Sequence, residues 1–91
     1  MSSEQTEFED LIDKNSALIG AAVRRVCMQR YESLIPDVTQ EVHIAIWKTV
    51  QRGIKMDNPP SYIYKVALTT GLAMVERAKK QRVIARDLEM E

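Results

Sequence analysis

The chain has 91 residues, enough for one domain around one hydrophobic core, and its 13 Lys and Arg balance its 13 Asp and Glu to zero net charge. No apolar run is long enough to span a membrane, since the longest uncharged stretch, Val66 to Val75, is interrupted by Thr69, Thr70 and Gly71. A single cysteine, Cys27, excludes an internal disulfide and a multi-cysteine zinc site; with an acidic rather than basic N-terminus, which does not read as a secretory leader, this fits a reducing cytoplasm.

The charges are unevenly placed. An acidic segment, residues 1–13, holds Glu4, Glu7, Glu9, Asp10 and Asp13 and no base. An acidic tail, residues 87–91, adds Asp87, Glu89 and Glu91 against no base. Between them the helical body, residues 14–86, carries every Lys and Arg against only Glu32, Asp37, Glu41, Asp57 and Glu76. A basic body with acidic ends suits a polyanion-binding surface, and equally a solvated mixed-charge one. The split suggests that the acidic ends shield the basic body from DNA until a partner binds.

Helical periodicity begins at Phe8. Phe8, Leu11, Ile12, Leu18, Ile19, Ala22, Val23, Val26 and Cys27 fall at the three-and-four spacing of one buried face. Lys14-Asn15-Ser16 is compatible with a fresh start, so the segment is one bent helix or two in line. Tyr31 to Ile35 reads as a connection, and Pro36 suits the first turn of the next helix. That helix is expected to run to about Arg52 and stop at Gly53, which accepts a left-handed turn. In the following loop Asp57 and Asn58 precede Pro59-Pro60, a capping side chain followed by ring-fixed backbone. The last helix then runs from about Pro60 to Arg82 or beyond. With no alternating pattern to argue a strand, the expected fold is all-α, a compact three- to four-helix bundle forming a single domain.

On a helical wheel Val38, Val42, Ala45, Ile46 and Thr49 gather on the core side of Asp37–Gln51, with Val50 at the margin. The other side holds Asp37, Gln40, Glu41, Lys48 and Gln51, and among them Ile44 and Trp47. Apolar groups rimmed by polar ones mark a partner surface; the alternative is that Trp47 leans over Val50 into the core. In the last helix Tyr62, Ile63, Val66, Ala67, Thr70, Ala73 and Met74 form one stripe, and Tyr64, Leu68, Leu72 and Val75 a second. Beyond them Arg77, Lys79, Lys80 and Arg82 form a basic cluster that either pairs with phosphates or complements the helix dipole.

The run Asp37-Val38-Thr39-Gln40-Glu41-Val42-His43-Ile44-Ala45-Ile46-Trp47-Lys48 resembles the second helix of region 2 of bacterial sigma factors. In that family this face grips the coiled-coil of the beta-prime clamp of RNA polymerase. The resemblance implies polymerase contacts at Asp37, Gln40, Glu41, Ile44, Trp47, Lys48 and Gln51. These are the residues that the wheel sets outside the core. A second run, Asn58-Pro59-Pro60-Ser61-Tyr62-Ile63-Tyr64-Lys65-Val66-Ala67, is similar to the aromatic and basic helix of the extracytoplasmic-function sigma factors. That helix and the loop before it hold the non-template strand of the minus-ten promoter element. The implied DNA contacts are Lys55, Asn58, Tyr62, Tyr64, Lys65 and Thr69, together with Arg77, Lys79, Lys80 and Arg82; for Tyr62, core packing is the stronger expectation. The family's second helical domain, region 4, has no counterpart in this sequence.

The resemblance thus implies a transcription initiation factor domain, with the polymerase core and promoter DNA as partners and an anti-sigma factor as a further one. The sequence departs from the family at Leu68, Thr69, Ala73 and Glu76, all on the DNA-facing helix. These departures support an alternative, a sigma-like protein-interaction module that binds polymerase or an anti-sigma factor without productive DNA binding. An enzyme is not expected. His43 has no acid-base partner at a telling spacing, Cys27 falls on a buried face, and phosphate loops and paired metal ligands are missing. Neither cofactor, metal nor small-molecule substrate is therefore expected, and no membrane association.

Overall fold

The computed structural model describes residues 3–90 and is all-helical over them. Three α-helices follow one another: α1 (Ser3–Cys27), α2 (Ile35–Gln51) and α3 (Pro59–Met90), with a 3₁₀ run over Gln29–Leu34 between the first two. None of these helices is long and apolar enough to cross a membrane.

The first helix is unbroken through Lys14-Asn15-Ser16. Asn15 is buried there, and its Nδ2 donates to the Leu11 carbonyl at 2.8 Å, so the polar group is satisfied without opening the helix. The acids from Glu4 to Asp13 are therefore helical, and Asp10 pairs with Lys14 at 3.0 Å on the exposed face. The helix ends at Met28, a non-glycine residue at positive φ. Pro36 occupies the first turn of α2, as its ring-fixed φ favours. Gly53, at φ +69°, closes α2 as expected. The Gly53 amide donates to Val50 O at 3.0 Å and the Ile54 amide to Thr49 O at 3.4 Å, the paired bonds of a Schellman stop. At the start of α3 the Asn58 side chain accepts from the Ser61 amide at 3.3 Å, which makes it the N-cap.

Contacts fix the directions of the helices. Phe8 of α1 meets Trp47 of α2, and Thr49 of α2 meets Tyr62 of α3. At the other end Leu34 shares a depression with Met74, Arg77, Ala78 and Gln81. Thus α2 runs antiparallel to both α1 and α3. The core between them holds Ile19, Ala22, Val23 and Cys27, then Val38, Val42, Ile46 and Val50, then Ile63, Ala67 and Val75. Ala45, placed in the core stripe from sequence, is only half-buried.

Two expectations need correction. The buried line of α3 is neither of the two stripes but Ile63, Ala67, Gly71 and Val75, every fourth residue, with Tyr64, Val66, Leu68, Thr70 and Met74 half-buried beside it. Gly71, read from sequence as an interruption, packs directly against α1: a Cβ added there would stand 3.2 Å from Val26 Cγ1. The bundle is also not compact. Residues 79–89 of α3 are exposed throughout and carry the helix past the other two. The molecule measures 55 × 22 × 21 Å, and its 15.6 Å radius of gyration exceeds the roughly 12 Å of a compact domain this long. Asp87 and Glu89 of the acidic tail belong to this projecting helix, while Glu91 lies outside the described residues.

Candidate functional site

Where the N-terminal turns of α1 lean on the second half of α2, the surface opens into a groove of about 360 Å³. Its walls are Gln40, His43, Ile44 and Trp47 from α2 and Gln5, Phe8 and Glu9 from α1. The i, i+3, i+4 and i+7 spacing of Gln40, His43, Ile44 and Trp47 puts them on one side of α2. Trp47 is half-buried, which resolves its two readings into a compromise. One edge of the indole packs against the Phe8 ring, with centroids 5.2 Å apart at 70°, the favoured edge-to-face geometry. The rest of it lines the groove. Ile44 stands 37 % exposed at the centre of the same face.

Of the other residues implied to bind polymerase, Asp37, Gln40, Glu41, Lys48 and Gln51 are all exposed. They do not share one concavity. Gln40 enters the groove with α1, whereas Glu41 turns to the opposite flank, beside Thr69, Thr70, Ala73, Met74 and Arg77 of α3. Sequence reasoning missed the α1 wall. Phe8 packs against the core, as its place in the α1 stripe implies, but its ring also supports Trp47. A Phe at the edge of an apolar stripe, opposite an unplaced Trp, is a signal visible only once helix directions are known.

The residues implied to bind DNA divide more sharply. Tyr62, Lys65 and Thr69 line a shallow trough with Val66 and Thr70. This trough runs on through Thr69 and Thr70 toward Arg77. Lys55 is exposed in the loop before it. Asn58 is exposed too, but its side chain is engaged as the α3 cap. The Tyr62 hydroxyl lies 2.9 Å from Thr49 Oγ1. Thr49, itself buried, hydrogen-bonds the Ala45 carbonyl at 3.1 Å, and so is free to accept the phenol proton. The hydroxyl ties the side chain to α2, but the residue is 37 % exposed and outside the core cluster, so the core-packing expectation for Tyr62 is corrected: it lies on the surface, anchored through its hydroxyl alone. Tyr64 is separated from this trough: it points to the α1 side of the helix, where its hydroxyl accepts from Arg25 at 3.0 Å. Arg82 also falls on that side of the wheel. Lys79 pairs with Glu76 at 3.4 Å in the open, an interaction worth little in water. At about 1.5 Å per residue, Lys80 lies about 27 Å from Tyr62 along α3. The cations therefore form a track along one helix, not a pocket.

The remaining chemistry-bearing groups are quiet. Cys27 is fully buried, and burial pushes its thiol above the usual range, which favours the unreactive protonated form. Among the described residues no cluster of His, Cys, Asp or Glu is arranged to hold a metal ion, and no buried side-chain polar atom lacks a partner. No family model, curated protein or solved structure matches the chain. The groove and the track are therefore characterised by their own geometry.

Proposed function

We propose that this chain is a sigma region 2-like transcription initiation domain. In this reading it docks on the beta-prime clamp coiled-coil of RNA polymerase through the α1–α2 groove and lays α3 along the minus-ten element during DNA opening. The observation that carries the reading is the coincidence of two sets. The α2 residues on which the resemblance falls are ones the fold leaves outside the core, and Gln40, Ile44 and Trp47 of that set line the apolar groove. An apolar groove between two helices is the ordinary receptor for an amphipathic partner helix. In this reading the domain works in the cytoplasm and performs no catalysis.

A second reading has its own support. Holding unstacked bases calls for aromatic faces and a basic channel. Here Tyr62 is tied to Thr49, Tyr64 is turned to the other side, and Glu41 and Glu76 interrupt the cations. These features favour a module that binds polymerase, or an anti-sigma factor at the same groove, without productive DNA binding.

Titration of the chain with the isolated clamp coiled-coil, followed by Trp47 fluorescence, tests the docking. Ile44→Glu and Gln40→Ala, both at exposed positions, are expected to weaken binding, Ile44→Glu by about tenfold or more. A folded chain that does not bind the coiled-coil sinks the polymerase reading. Salt separates the two readings: promoter-strand binding is expected to fall steeply with salt, and groove docking far less.

A further inference from the structure

The chain carries two unpartnered apolar features, one at each end of the long axis. At one end is the groove of Phe8, Ile44 and Trp47. At the other, the part of α3 beyond Ala78 leaves the bundle and continues, exposed on every side, for about 18 Å. This projecting helix exposes Val83 at 53 %, Ile84 at 59 % and Leu88 at 67 %. A lone helix of three turns is marginal in water, and apolar side chains on it are covered only by another molecule. The surface total points the same way: 6740 Å² exceeds the roughly 5,400 Å² of a compact protein of this mass.

Charge identifies the occupant. The groove carries Glu9 in its wall, and the α1 helix that forms that wall adds Glu4, Glu7, Asp10 and Asp13, with Lys14 its one base before Arg24. The projecting helix is basic on balance, with Lys79, Lys80, Arg82 and Arg86 around Val83 and Ile84 against Asp87 and Glu89 beside Leu88. We infer that the projecting end of α3 from a second copy of this chain docks in the α1–α2 groove, and that two copies do so reciprocally. Laid antiparallel, two such rods bring each basic helix to the other's acidic groove, and both docks close under one two-fold axis. Ile84 and Leu88 enter against Ile44, Trp47 and Phe8, while the Lys and Arg side chains reach the acids of α1. A groove filled in this way is closed to any other helix. The inference stands on the groove and the helix alone, independently of any polymerase partner.

Sedimentation velocity of the full chain, from low micromolar to near-millimolar concentration, provides the test, with Trp47 emission read in parallel. The expected result is a monomer–dimer equilibrium that stops at two chains, is weakened by salt, and shifts the indole to shorter wavelength as dimer forms. Ile84→Glu and Leu88→Glu lie on exposed helix and leave the bundle folded, as circular dichroism would verify. Each is expected to raise the dimer dissociation constant about tenfold or more, and Ile44→Glu in the groove to do the same. A chain that stays monomeric throughout overturns the inference. So does a dimer that Ile84→Glu breaks but Ile44→Glu leaves intact, because α3 would then be pairing with α3. Assembly beyond two chains refutes the reciprocal arrangement.

Discussion

At Gly71 a hydrogen atom decides how closely two helices approach. Alanine inside a helix ordinarily gains about 1 kcal/mol over glycine. Here the new methyl would sit 3.2 Å from Val26 Cγ1 and 3.3 Å from its Cβ, and Val26 is β-branched, with little freedom to turn aside. The overpacking term is the larger. Gly71→Ala is expected to cost about 1–2 kcal/mol in urea denaturation, whereas in a Val26→Ala background the same change is expected to stabilise. A Gly71→Ala protein more stable than the parent would show that α1 and α3 separate at no cost. Nothing at the level of hydropathy marks this glycine, because a residue without a side chain scores as a gap in an apolar stripe. Asn15 is hidden for a related reason. Its polarity suggests a break, and only the 2.8 Å bond to the Leu11 carbonyl explains how it stays inside an unbroken, buried face. The capping residues are legible, since Asn58, Pro36 and Gly53 act through their own backbone neighbours.

Whole elements follow from periodicity where a helix is packed, and less where it is not. The core side of α2 is readable because one stripe meets α1 and α3 together, which leaves Ile44 and Trp47 outside it. In α3 the reading fails for want of a partner's position. A helix flanked on both sides by half-buried residues shows two stripes from sequence, and the true packing line runs between them. Past Ala78 the helix carries on with basic and apolar residues mixed and no core to face. A chain ending at Arg82 therefore loses helix but almost no packing. Its unfolding free energy is expected to match that of the full chain within about 0.5 kcal/mol at concentrations where both are monomeric. The far-ultraviolet helical signal should drop by the missing turns. A loss of several kcal/mol would mean that the projecting segment packs on its own bundle.

At the scale of the molecule, the antiparallel course of α2 sets the acidic first turns of α1 apart from the basic cluster of α3. Glu4, Glu7 and Glu9 share an end with Trp47 and Tyr62, and the cluster from Arg77 to Arg82 lies at the other. Tyr62 and Lys80 are about 27 Å apart along α3, several times the roughly 8 Å screening length at physiological salt. Acids at the N-terminus of α1 therefore do not shield the distal cations of their own chain, contrary to what the charge split alone suggests. The consequence is measurable with a single-stranded oligonucleotide at low protein concentration. Replacing Glu4, Glu7 and Glu9 together by Gln is expected to leave the contribution of the distal cluster unchanged. Arg77→Gln with Lys80→Gln should weaken binding and flatten the slope of log affinity against log salt by about 0.7 for each phosphate no longer neutralised on a single strand. The two sets of changes should add, since they act at separated sites. If neutralising the acids instead enlarged the effect of Arg77 and Lys80, the two ends would be coupled within one chain, and the straight course of α3 away from the bundle could not hold in solution.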